Sequence, residues 1–184
     1  MKEKLLNFTS VIFLGVFLSM VFNIHNSNSL EKTQNHSSPK FDKEFSGKVS
    51  VIDGDSIIVS ENEVRLFGLD APEYRQTCFD ASENEYECGK TSRDFLVKLT
   101  NKKEAKCIYF EKDIYNRYLA KCFIGEVSIN DEILKNGMAV IYDFSQASEE
   151  EIRLEDAAKS QKLGIWQGAF QLPKDYRKKN PRKN

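Results

Sequence analysis

The stretch EFSGKVSVIDGDSIIVSENEVRLFGLDAPE, residues 44–73, decides the fold. It holds three strand-like runs, EFSGKVSVI, DSIIVS and EVRLFGL, with the polar turn residues SENE between the last two. Its charges raise a second question. Asp53, Asp55, Asp70 and Glu73 are acids, and Arg65 stands between Val64 and Leu66 in an apolar run. Such charges either spread over a solvated face or gather around a cation and an anionic substrate.

Working outward, residues 77–87 form an acidic loop bounded by cysteines. GKTSRDFLVKLTN then carries Phe95, Leu96 and Leu99 at helical spacing. Two strand-like runs follow, EAKCIYF and LAKCFI, on either side of DIYNRY. SINDEILKNG reads as a short helix, capped by Ser128 or Asn130 and stopped by Gly137. Residues 138–142 form a short apolar strand. Ser148 and Glu151 then make a capping box that opens a helix ending near Gly164. Short strands interleaved with helices in this order predict an α+β, mostly β fold: an OB-fold five-stranded barrel with three helices.

The N-terminal 1–29 has a lysine-bearing start and an apolar run over 11–22. It reads as a signal peptide, with Ser27 and Ser29 as candidate small residues near a cleavage point, or as an N-terminal membrane anchor. Residues 30–45 are a polar linker, 46–172 the folded domain, and 173–184 a basic tail. The expectation is an exported protein, periplasmic or secreted, or one held at the membrane by its uncleaved N-terminal segment, and a monomer. Residues 30–173 hold 19 Lys and Arg against 26 Asp and Glu, so the domain lacks the general basic face of a nucleic-acid binder. Any phosphate must be attracted locally. The tail, with six basic residues against one acid, is either a solubilising run or an electrostatic tether to nucleic acid.

Both histidines, His25 and His36, precede the first strand, which argues against a His-bound zinc or a His-based triad in the domain. A metal would be held by oxygen, favouring Ca²⁺ or Mg²⁺. The four cysteines form no CxxC. A hairpin centred between Ile114 and Tyr115 sets Cys107 opposite Cys122 at disulfide spacing, and Cys78 would then pair with Cys88.

Asp53-Gly54-Asp55 alone is an ordinary turn in which Gly supplies a positive φ. Asp55 opens the second strand and Asp70 closes the third, so an antiparallel hairpin sets them side by side. Two such carboxylates repel unless a cation stands between them. Arg65 and Arg117, each unremarkable alone, complete with Glu73 the parts needed to hydrolyse a phosphodiester.

Together VIDGDSI, RLFGLDAPE, the D-x-Y-x-R of DIYNRY, NGMAV and KLGIW resemble the staphylococcal nuclease family across residues 46–166. The resemblance implies an OB-type barrel and a Ca²⁺-dependent nuclease that leaves 3′-phosphate ends on DNA, with RNA as a further candidate substrate. It implies that Asp55 and Asp70 bind Ca²⁺, with the backbone carbonyl of Ala71, where the family commonly has Thr, and Asp53 as an acid behind them. It further implies that Glu73 activates or orients the water, that Arg65 and Arg117 bind phosphate and stabilise charge, and that Tyr115 and Tyr142 lie near the nucleotide. The chain departs from the family at Asn116, where glycine is usual; Asn tolerates left-handed geometry, so the turn is expected to persist. The competing readings are a non-catalytic OB-fold module that binds nucleic acid or protein, and a metal-free carboxylate-pair glycosidase, which leaves both arginines unexplained.

Overall fold

A computed structural model of the chain describes residues 39–181. The apolar N-terminal segment, most of the linker and both histidines lie outside the described residues. The quoted stretch forms β1 (Lys43–Val51), β2 (Ser56–Val59) and β3 (Asn62–Leu66), an antiparallel meander in which Val49 faces Val59 and Ser56 faces Arg65. A two-residue strand, β4 (Leu69–Asp70), follows, then a small hairpin of β5 (Cys78–Phe79) and β6 (Glu85–Tyr86), and helix α1 (Cys88–Thr100). Next come the hairpin β7 (Glu104–Lys112) and β8 (Tyr118–Ile124), short β9 (Val127–Ser128) and α2 (Ile129–Lys135). The chain continues through β10 (Val140–Ile141), α3 (Glu149–Ser160), a 3₁₀ turn (Gly164–Gln167) and α4 (Pro173–Lys179).

The strand order β3-β2-β1-β7-β8 closes on itself where β3 runs parallel to β8, Arg65 beside Leu119. The result is the expected five-stranded OB-type barrel. Alternation sends Ile57, Val59, Val64, Leu66, Cys107, Ala120 and Cys122 into its interior, each at 0% exposure, and α1 and α2 add Leu96, Ile129 and Ile133. Each fully buried aliphatic side chain of this kind contributes about 1.5–3 kcal/mol. Cys107 and Cys122 are direct partners across the β7–β8 hairpin and are bridged, as the spacing predicts. A bulge between Tyr109 and Glu111 shifts the hairpin register toward its tip. The second bridge, Cys78–Cys88, ties β5 to the start of α1.

Four local expectations change or are narrowed. The third run is not one strand: it breaks at Gly68, φ 85°, so Asp70 belongs to β4, which pairs with β10 through Asp70 and Val140. Gly54 does not take a positive φ; a Cβ there would meet Ser92 Oγ at 2.3 Å and the Ala71 Cβ at 2.7 Å, so glycine is needed for close packing. Of the two caps expected for α2, Ser128 is the one used, accepting from the Asp131 amide at 3.2 Å. Asn130 is buried instead, where it joins Cys122 N–H to the Phe67 carbonyl. Finally, β1 starts at Lys43, inside the stretch read as linker, and the basic tail forms α4, a helix beyond the three expected. The Ser148–Glu151 capping box opens α3 as expected.

Candidate active site

Asp55 and Asp70 are 4% and 2% exposed, and both meet Arg65. β3 aims this arginine away from the barrel interior. Its Nη1 donates to Asp55 Oδ1 at 3.1 Å, and its Nη2 to Asp70 Oδ1 and the Leu69 carbonyl, each at 3.3 Å. The turn at Gly68 is what carries Asp70 back over the start of β2. The Ala71 amide then donates to Asp55 Oδ2 at 3.0 Å, tying the Asp55 carboxylate to the backbone just after Asp70. Behind them Asp53 accepts from the Asp55 amide at 3.2 Å. Burial, then the neighbouring charge of Asp55, pushes the Asp53 carboxyl up to about 6. Burial is also the main cause raising Asp70, against the lowering effect of Arg177.

Arg117 reaches the same cluster from the β7–β8 turn. Its Nε and Nη2 donate to Asp113 Oδ2 at 2.9 and 2.7 Å, and its amide to Asp113 Oδ1 at 2.9 Å. Nη1 lies 3.5 Å from Ser56 Oγ, which itself donates to Asp55 Oδ1 at 3.0 Å. Burial works to raise Asp113, but the Arg117 guanidinium and amide outweigh it and hold the carboxyl below its ordinary range. Asn116 adopts φ 66°, so the turn accommodates the departure from glycine. Tyr115 and Tyr142, largely exposed, lie beside the two arginines: the Arg117 guanidinium is 5.5 Å from the Tyr115 ring centre and that of Arg65 5.9 Å from Tyr142. A cavity of about 150 Å³ opens beside Asp70, lined in part by Tyr142, Phe144, Lys159 and Trp166.

Glu73 sits on the loop after Pro72. Its amide donates to Gln76 Oε1 at 3.2 Å, and the wholly buried Gln76 donates onward to the Gln171 carbonyl at 2.7 Å. Gly89, in the first turn of α1, lets the Glu73 backbone approach: a Cβ there would stand 1.8 Å from the Glu73 carbonyl oxygen. From the other side, Arg177 of α4 contacts Asp70 at 2.7 and 3.2 Å and Glu73 Oε1 at 3.1 Å.

Gln76, Gly89, Asp113 and Arg177 are residues that sequence reasoning passes over. Of these, only Asp113 had a signal, as the first residue of the D-x-Y-x-R motif.

The donor set fits a hard divalent cation. Two desolvated carboxylates held side by side need positive charge between them, and oxygen donors without His or Cys suit Ca²⁺ or Mg²⁺. Among the described residues no three His, Cys, Asp or Glu side chains form a cage. Such an ion would therefore draw its other oxygens from a backbone carbonyl, water and substrate.

A family model described as staphylococcal nuclease homologue matches residues 63–168. The chain belongs to the staphylococcal nuclease family. The match takes in Arg65, Asp70, Glu73 and Arg117, and leaves out Asp53, Asp55 and α4. Among curated proteins, the chain is 34% identical over 122 residues to a succinoglycan biosynthesis protein of Rhizobium meliloti (strain 1021), covering 65% of this chain and 63% of that one. It is 28% identical over 132 residues to a probable staphylococcal-like nuclease of Oryza sativa subsp. japonica, covering 71% of this chain and 32% of the relative. It is 28% identical over 130 residues to an uncharacterized endonuclease of Escherichia coli O157:H7, covering 68% and 78%. The chain thus spans less than two thirds of the first two of these family relatives.

Proposed function

We propose that this chain is a Ca²⁺-dependent nuclease that hydrolyses phosphodiester bonds of DNA, and of RNA as a further substrate, by in-line attack of water. One observation carries the reading: Arg65 forks onto two buried carboxylates, Asp55 just before β2 and Asp70 in β4, while Arg117 reaches the same Asp55 through Ser56. Two guanidiniums and two buried acids so arranged suit an anion and a cation held together. Family membership and relatives named as nucleases support it.

Asp55, Asp70 and the Ala71 carbonyl would hold the ion, with Asp53 behind them. When bound, it would offset the acids' charge and polarise a phosphate oxygen. Arg65 and Arg117 would bind the other phosphate oxygens and gain strength as charge builds in the transition state. Glu73 would take a proton from the water as its oxygen bonds to phosphorus. The bond from phosphorus to the 5′ oxygen then breaks, and that oxygen takes up a proton, leaving a 3′-phosphate. Tyr115 and Tyr142 would flank the nucleotide.

We also propose that the protein works as a monomer outside the cytoplasm, or at the membrane through its N-terminal segment. Two bridges and no free cysteine among the described residues support an oxidising compartment.

The test is digestion of plasmid, single-stranded DNA and RNA by the full chain with Ca²⁺ and with chelator. Activity should vanish on chelation and fall by a factor of about a hundred or more in Glu73→Gln. Turnover that survives both changes would refute the mechanism. Binding without turnover would favour a non-catalytic module.

A further inference from the structure

The basic C-terminal run is left unused by this chemistry, yet its helix delivers a side chain into the site. Arg177 lies 107 positions from Asp70 in sequence. It covers both Asp70 oxygens with two nitrogens and Glu73 with one, a forked and charge-assisted contact. α4 is seated on the Glu73 loop beside it: the Tyr176 hydroxyl donates to the Arg75 carbonyl at 3.3 Å, and Gln171 just before the helix accepts from Gln76. The adjacent Lys178 pairs with Asp175 of its own helix.

Burial opposes a charge on Arg177, but Asp70 and Glu73 outweigh it and hold the guanidinium more firmly protonated. A guanidinium keeps its charge at any physiological pH, so proton loss cannot release it. A divalent ion held by Asp70 would bring a second positive charge to a carboxylate whose two oxygens Arg177 already covers. Arg65 is fixed in the barrel wall and touches one oxygen of each acid. Arg177, by contrast, is carried on a seven-residue helix whose only buried residue is Pro173, so moving it disrupts little packing.

We propose that Arg177 is a resident counter-ion of Asp70 and Glu73 that competes with the divalent ion and so sets the ion concentration at which the site becomes competent. The inference rests on the reading of Asp55 and Asp70 as ion ligands. While Arg177 is seated, it also ties up the carboxylate assigned to the water.

Calorimetric titration of Ca²⁺ into the full chain tests this without any turnover. Arg177→Gln should bind Ca²⁺ about ten- to a hundredfold more tightly than the unaltered chain, the range expected for losing a competing charged contact. Arg177→Lys keeps a cation but not the fork and should fall between them. Adding Asp70→Asn to Arg177→Gln should abolish the gain. Equal or weaker binding by Arg177→Gln, or a gain that survives Asp70→Asn, overturns the proposal while leaving the ion site standing. If Arg177→Gln fails to fold, Arg177→Lys decides in the same sense. Absence of Ca²⁺ binding in every variant sinks the ion-site reading, and this inference with it.

Discussion

Replacing Gly89 by alanine has two opposite expectations, and geometry decides between them. On helix propensity alone, Gly→Ala inside α1 would stabilise the protein by up to about 1 kcal/mol. The new Cβ, however, would stand 1.8 Å from the Glu73 carbonyl oxygen, 2.6 Å from its carbon and 2.9 Å from the Tyr74 carbonyl carbon. All three are backbone atoms, so no side chain can swing clear. Reaching even 3.0 Å requires a shift of roughly 1.2 Å between α1 and the Glu73 loop. That loop is also pinned by the Cys78–Cys88 bridge and by Gln76. Overpacking of this kind costs about 1–3 kcal/mol, which exceeds the propensity gain. A displacement near 1 Å at Glu73, the group proposed to activate the water, should lower turnover by about a hundredfold. Denaturant unfolding followed by circular dichroism measures the first effect, and steady-state DNA digestion the second. A Gly89→Ala protein as stable as the unaltered chain, with unchanged turnover, would refute the reasoning.

Three other changes are equally specific. Asp113→Asn keeps an acceptor for the backbone amides of Tyr115 and Arg117 but removes the charge that aims Arg117, so turnover should fall about tenfold, as single-turnover kinetics would show. Glu151 is buried, 5% exposed; burial raises its carboxyl, but the Ser148 amide and hydroxyl and the Lys121 ammonium outweigh it and lower it from 4.5. Its stabilisation is therefore complete above pH 4.5 and is lost as pH falls through the lower folded value. Glu151→Gln should cost about 1–2 kcal/mol at pH 7, and the gap should close in urea titrations below pH 4.5. Replacing Cys107 and Cys122 together by alanine opens a crosslink spanning 15 residues. The chain-entropy estimate is about 3 kcal/mol, or roughly 10 °C in Tm, measurable by calorimetry.

What could be read from sequence was what repeats locally. Alternation in EFSGKVSVI and DSIIVS marks the barrel wall, and the spacing of Cys107 and Cys122 about DIYNRY marks their pairing. The Ser148–Glu151 box marks the start of α3. What escaped depends on distant approach. Gly54 looks like a turn glycine, yet its constraint comes from Ser92, on a helix not visible from the motif. Gly89 appears as a helix-weakening residue until Glu73 is seen against it. Asp113 opens the D-x-Y-x-R motif, but its pairing with the arginine four residues on shows only in the folded turn. Arg177 belongs to a run whose composition suggests solvent, and only the fold of the segment before it brings it to Asp70. Within the site, Arg65 and the two aspartates were legible because they share one short stretch, although the turn at Gly68 that joins them was not.

The link from Gln76 to Gln171 spans 95 positions, against ten to sixteen for the Arg65–Asp55 and Ala71–Asp55 contacts. Contacts that close short loops form early, and those that close long ones wait for the intervening chain. The arginine–aspartate cluster should therefore assemble with the β1–β3 meander, while the Glu73 loop gains its final anchor only after α3 and the segment beyond it have docked. Pulse-labelling hydrogen exchange would resolve that order, with amides of β2 and β3 protected before the amide of Glu73. A chain interrupted during folding would then carry the charged cluster without a fixed Glu73.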